Sequence, residues 1–234
     1  MKAVTVEAYY SRHERHWNQQ RVELRQLRSA YMTRYWDKRA NAPQQVVIET
    51  SRAYEFVEGY IASLFARSPS VIVKGDVRGQ GTPSIVQTLC NNFLDNIRTQ
   101  LEDASRLALI YPCAFLKLIP NDHPDPFKRV SICAIPPWDV IVDTDATSWT
   151  DQKFVGHRYY ITLKEAREKY GPKKYSAHPL IRFLDRSEGD EGYRSSSSDD
   201  IAPEFQYIEV VEFYDLANDK LVVWSPDYQD GTKF

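Results

Sequence analysis

The stretch Thr82–Ile119, TPSIVQTLCNNFLDNIRTQLEDASRLALIYPCAFLKLI, decides how the rest of the chain is read. Thr82 is a good helix N-cap and Pro83 occupies a position that a first helical turn tolerates. From there to Pro112 the segment contains neither Gly nor Pro. Ile85, Leu89, Phe93, Ile97, Leu101, Ala104 and Ala108 recur at helical steps, and Asn92, Asn96, Thr99 and Asp103 fall away from that face. The spacing predicts an amphipathic helix over 83–110, ~42 Å long at ~1.5 Å per residue. Glu102 and Arg106 stand in the favourable order for an i,i+4 pair. Tyr111-Pro112 stops the helix, and Cys113–Ile119 is an apolar run of strand length. A helix this long needs cover, and the strands that follow are expected to supply it.

The composition bounds what surrounds it. With 234 residues, 42% of them hydrophobic, the chain is long enough to bury a core. No apolar run reaches the ~20 residues that span a bilayer, and the first residues lack the apolar region of a secretory signal. Three cysteines, Cys90, Cys113 and Cys133, show no C-x-x-C spacing, so reduced buried thiols are expected. The net charge of −2 hides an asymmetry. Residues 1–40 carry nine Lys/Arg against four Asp/Glu, leaving a basic arm on an acidic body.

That arm reads as a helix over 11 to about 39, with Ser11 and Glu14 as a capping box. Trp17, Leu24, Leu27, Tyr31 and Tyr35 form a narrow apolar stripe, edged by Arg21, Arg25, Arg28 and Arg39. Those arginines read as stems laid over a seam that a neighbour covers, with a phosphate track as the other reading. His13 and His16, without a third ligand nearby, read as solvated. Asn41-Ala42-Pro43 breaks the helix and separates an arm over 1–45 from a body over 46–234. Within the body a second helix is predicted over 46–66, with Ile48, Ala53, Phe56, Tyr60, Leu64 and Phe65 on its apolar face. Residues 70–74 read as a short strand.

Downstream the periodicity turns to two. Residues 113–119 and 129–135 form a hairpin, 138–143 a short extended run, and 154–160 a further strand. Thr162-Leu163-Lys164-Glu165 is a capping box opening a short helix that Gly171-Pro172 closes. The Ser-rich stretch 187–204 reads as a loop, and 205–216 and 221–224 as a final strand pair. The fold class is α+β: long N-terminal helices packed on a mostly antiparallel sheet.

The strongest grouping for chemistry is Asp139, Asp143 and Asp145, since residues two and four apart share a face of an extended segment. Such a trio could gather a divalent cation, but Asp143-Thr144-Asp145 equally reads as an Asx-turn and no base accompanies it. His157 with Asp151 and Ser148 lacks a nucleophile elbow. The reading is of a protein that is not an enzyme and takes no metal or cofactor.

The order of the elements resembles the N-terminal wing region of bacteriophage portal (head–tail connector) proteins. Three pieces carry the likeness: Phe65-Ala-Arg-Ser-Pro-Ser-Val-Ile-Val73; the helix-to-strand run Asp103–Leu118; and Ile135-Pro-Pro-Trp-Asp-Val-Ile-Val-Asp143, continued by Ser148-Trp149 and Tyr159–Gly171. The resemblance implies a structural subunit of a dodecameric ring at one capsid vertex of the virion. Double-stranded DNA is packaged and ejected through such a ring, which meets the major capsid protein, the terminase and the tail adaptors, and no membrane. Trp17, Leu24 and Tyr31, with Arg21, Arg25 and Arg28, are then the expected subunit interface. Family members carry a stem, clip and crown after the wing. No long helix follows Val223, so the chain is expected to be the wing part alone. The rival expectation is a stand-alone nucleic-acid-binding module that uses the basic first helix.

Overall fold

The computed structural model describes residues 3–32, 52–74, 82–124, 129–171, 175–180, 182–185 and 205–228. Tyr35, Arg39, Ile48 and the Ser-rich stretch 187–204 lie outside these. The fold is α+β, with the long N-terminal helix packed on an antiparallel sheet. The expected boundary between 1–45 and 46–234 lies outside the described residues, and the chain divides into a first unit of Met1–Val22 with Trp138–Phe234 and a second of Glu23–Pro137.

The second unit holds the end of α1 (Ala3–Tyr31), α2 (Arg52–Leu64), α3 (Thr82–Ile110) and the strands β1 (Phe115–Pro120) and β2 (Val130–Ile135). α3 starts and stops as its sequence predicts. β1 and β2 pair antiparallel from Phe115 opposite Ile135 to Pro120 opposite Val130, and α3 packs on β2. Ile97 and Ala104 are buried and Phe93 and Leu101 half-buried, while Ile85, Leu89 and Ala108 remain exposed. The middle of the expected face is therefore the part that is covered. Arg106 does not pair with Glu102. Its Nε and Nη2 donate to Glu58 on α2 at 2.7 and 3.1 Å, and its Nη1 to Asp103 at 2.7 Å.

α2 corrects the sequence reading by one residue at Phe56, Tyr60 and Leu64, while Phe65 is buried as expected. Its buried face is Val57, Ile61 and Phe65, packed with Tyr31, Leu101 and Ile110. Phe56, Tyr60 and Leu64 instead stand 70%, 52% and 55% exposed. Both sets have i,i+4 spacing, so periodicity alone could not choose between them. Four hydrogen bonds fix the choice. Tyr31 Oη donates to Glu58 Oε1 at 2.6 Å beside the Arg106 pair, and Arg98 Nη2 donates to the Phe65 carbonyl at 2.7 Å. The latter satisfies one of the carbonyls that a helix end leaves without a partner. After α2 the chain forms no regular element over 68–74 and joins no ladder, so the strand expected over 70–74 is not formed. Its Val71 and Val73 amides donate to the side chains of Asn91 and Gln87 on α3, at 2.8 and 3.2 Å.

The first unit is a sheet with helices on both faces. β3 (Val140–Val142), β4 (Phe154–Thr162) and β6 (Gln206–Asp215) run antiparallel in that order. Along the far side of β6 lie the two-residue β5 (His178–Pro179) and β7 (Lys220–Trp224). β6 is buried on both sides. Val211 and Phe213 join Ile141 and Phe154 against Val6 and Tyr10 of α1, while Ile208 and Val210 pack with Leu163 and Ala166 of α4 (Leu163–Tyr170). The alternation of a strand delivers one set to each helix. α4 opens on the predicted capping box. The Glu165 amide donates to Thr162 Oγ1 at 3.2 Å and the Thr162 amide to Glu165 Oε2 at 3.0 Å, and Gly171 ends the helix at φ 91°. On the α1 side Gly156 lies opposite Phe213, where a Cβ would meet Ile141 Cβ at 3.0 Å and the Phe213 ring at 3.2 Å.

α1 itself begins earlier than its sequence suggests. Ser11 lies inside the helix and caps nothing, because the run of helix-compatible residues extends back to Ala3. No helix of the described residues is long and apolar enough to cross a membrane.

Candidate functional site

The three aspartates do not converge. Asp139 accepts from Arg158 Nε at 3.0 Å. Asp143 is buried, and its Oδ1 accepts the Asp145 amide at 3.1 Å, the Asx-turn geometry. Asp145 faces outward onto Arg12, whose Nη1 and Nη2 donate at 3.0 and 2.8 Å and hold the carboxyl below the usual range. Among the described residues no group of three or more His, Cys, Asp or Glu is placed to hold a metal. The second grouping also separates. Ser148 Oγ is 2.8 Å from Thr150 Oγ1, Asp151 accepts from Thr147, and the His157 ring stacks on Tyr159.

The densest polar cluster is one the sequence did not announce. Arg158, on the α1-facing side of β4, is almost fully buried. Its Nη1 donates to Glu14 of α1, its Nε to Asp139, and its Nη2 to the Trp138 carbonyl at 2.9 Å. The guanidinium also lies over the Phe183 ring, 5.6 Å from its centroid. Two residues along the same face, Tyr160 pairs with Glu209 of β6. Glu209 is fully buried and accepts from Tyr10 Oη at 2.5 Å and Tyr160 Oη at 3.4 Å. His13, expected in solvent, is buried beside them, and its Nε2 donates to the Trp138 carbonyl at 2.8 Å. Burial, followed by the Arg158 charge, pushes His13 down to about 4, so it is neutral at pH 7. Charged groups in this position fix how α1 seats on the sheet more than they add net stability, because desolvation offsets much of their attraction.

The expected interface residues of α1 are mostly engaged within the chain. Leu24 is 2% exposed. Trp17 is half-buried, with its ring edge against those of His13 and His16. Tyr31 donates to Glu58 and tilts against Tyr54, and burial pushes its hydroxyl up to about 12. Arg21 lies over the Phe183 ring at 5.9 Å and donates to Asn18 at 3.4 Å, while Arg25 and Arg28 are half-buried.

Among the described residues of the second unit, exposed apolar side chains gather away from the α1 stripe: Phe56, Tyr60 and Leu64 on α2, Ile85 and Leu89 on the first turns of α3, and Ile72, which is 76% exposed, between the two helices. The outer side of the hairpin adds Leu116, Leu118 and Val130. The first unit exposes Trp149, Phe205, Leu216 and Leu221. The signal was present in the sequence as a second i,i+4 series on α2, offset by one from the buried one. Compared with known proteins, the chain matches no protein-family model and no curated sequence.

Proposed function

We propose that this chain is a structural subunit of a bacteriophage portal ring at the capsid vertex, contributing its wing region. Assembled with copies of itself, it forms the passage through which double-stranded DNA is packaged and ejected. The ring gives the terminase, and later the tail, their attachment point beside the major capsid protein in the virion. The order of elements supports the reading: a helix ending at Leu64 just ahead of Ser68-Pro69, a 29-residue helix running into a strand, then the Pro136-Pro137-Trp138-Asp139 turn into a second sheet.

The observation that carries it is the exposed apolar stripe of α2. A globular unit that leaves Phe56, Tyr60 and Leu64 in water is one that covers them by association. The test is negative-stain imaging of the full-length gene product with light scattering on the same preparation. Rings of uniform diameter are expected, and a monodisperse monomer overturns the proposal.

The rival module would bind duplex DNA with a steep salt dependence that disappears when Arg21, Arg25 and Arg28 become Ala. Arg21 is turned onto Phe183, which favours the structural reading.

A further inference from the structure

His178 is a second buried histidine, on β5, and its environment is the reverse of that around His13. The stretch 175–179 is strung between β6 and the turn 225–228. His178 and Pro179 pair with Tyr207 and Gln206 of β6. The Ser176 amide donates to the Asp227 carbonyl at 2.8 Å, and Tyr175 bridges Tyr228 with their rings 5.8 Å apart. In the middle of this strap His178 Nε2 lies 3.1 Å from Asp227 Oδ2, and Nδ1 lies 3.2 Å from the Pro179 carbonyl.

A carboxylate and a carbonyl both only accept. Both ring nitrogens therefore need a proton, and the geometry is that of an imidazolium. Asp227 cannot swing away to suit a neutral ring. The same Oδ2 accepts the Glu209 amide at 2.7 Å, and the Asp227 amide donates to Ser225 Oγ, which donates in turn to the Glu209 carbonyl at 2.6 Å. The charged groups acting on the ring are Asp227, from the turn after β7, and Glu209, from β6. Tyr207 sits across the ladder, and Tyr175 and Tyr228 at the end of the strap. Burial opposes the charge on His178, but the Asp227 carboxylate outweighs it and the ring titrates above its ordinary value of 6.5.

We propose that His178 is a proton-operated clasp: as an imidazolium it holds 175–179 to the turn 225–228 by charge as well as by a hydrogen bond, and on losing its proton it keeps only the hydrogen bond, so that the strap opens from the β6 edge at Gln206 and Tyr207 more often. A neutral ring keeps Nε2–H on Asp227 but turns an Nδ1 lone pair at the Pro179 oxygen. Its folded pKa being raised, the fastening by charge is complete below the unfolded value and is lost as pH rises through the folded one.

The experiment is a pH titration of the full chain by NMR. It follows the His178 ring nitrogens together with exchange of the Ser176 amide, corrected for base catalysis. The ring is expected to titrate above 6.5. Opening at Ser176 should rise through the same midpoint, about tenfold for each pH unit separating the two pKa values. In His178→Gln the opening at Ser176 is expected to sit at its high-pH level and to lose its pH dependence. A ring that titrates at or below the ordinary value overturns the clasp. So does Ser176 protection that passes through the His178 midpoint unchanged, and both readouts come from the unaltered protein.

Discussion

Single side chains decide most in the first unit, and Arg158 decides most among them. Its guanidinium is shared by Glu14, Asp139 and the Trp138 carbonyl inside the sheet–helix seam. Truncating it leaves the half-buried carboxylates of Glu14 and Asp139 without their counter-charge. Arg158→Ala is therefore expected to lower the unfolding free energy by about 3–5 kcal/mol in urea at neutral pH, whereas Arg12→Ala on the surface should leave it close to wild type. Equal losses from the two would show that the seam is wet. His13 sets an acid limit of its own. Its folded pKa of about 4 lies below the ordinary 6.5, so between those values the unfolded chain binds a proton that the native one does not. Stability must then fall as pH drops from 6.5 towards 4, by roughly 3 kcal/mol if the whole window is crossed. Urea midpoints measured across that window in wild type and in His13→Gln check this, and the variant's profile should be flatter by His13's share.

At the scale of elements, the two faces of α2 predict opposite behaviour. Ile61→Ala opens a void among Val57, Phe65, Leu101 and Tyr31 and is expected to cost about 2–5 kcal/mol. Tyr60→Ser, one position away, removes a ring that is 52% exposed and should leave the unfolding midpoint within about 0.5 kcal/mol of wild type. Thermal or urea melts of the two variants, run side by side, reverse the assignment if their order is inverted. The sequence made α3, the hairpins and the α4 capping box legible because each is written in neighbouring residues. A cap needs Thr162 and Glu165, and a helix stop needs Tyr111-Pro112. It could not choose between Phe56/Tyr60/Leu64 and Val57/Ile61/Phe65, since the choice is made by Glu58 meeting Tyr31 and Arg106. Nor could it find the Arg158 cluster. Glu14 and Arg158 are 144 positions apart, and a charged residue in a strand reads as solvent-facing until its partner is known. The aspartate trio failed for the same reason, each carboxylate having been claimed by a different donor.

For the whole molecule, the prediction concerns association. If Phe56, Tyr60 and Leu64 are covered by a neighbouring copy, the double variant Phe56→Ser/Leu64→Ser should fold with an unchanged midpoint and sediment as a smaller species than wild type. Sedimentation velocity at matched concentration measures this, and an unaltered distribution would place the contact elsewhere. The two-sided burial of β6 has a separate consequence, for how this chain can change over time. A one-residue insertion or deletion turns every side chain beyond it to the opposite face of the strand, and it is resisted wherever a face is buried. β6 is covered on both faces, and the two rows differ in chemistry. Losing one residue between Ile208 and Phe213 would carry the Glu209 carboxylate into the oil beneath α4 and press Val210 against the guanidinium of Arg158. Length variation among descendants of this gene should therefore collect in the connections around β6 and spare the strand itself.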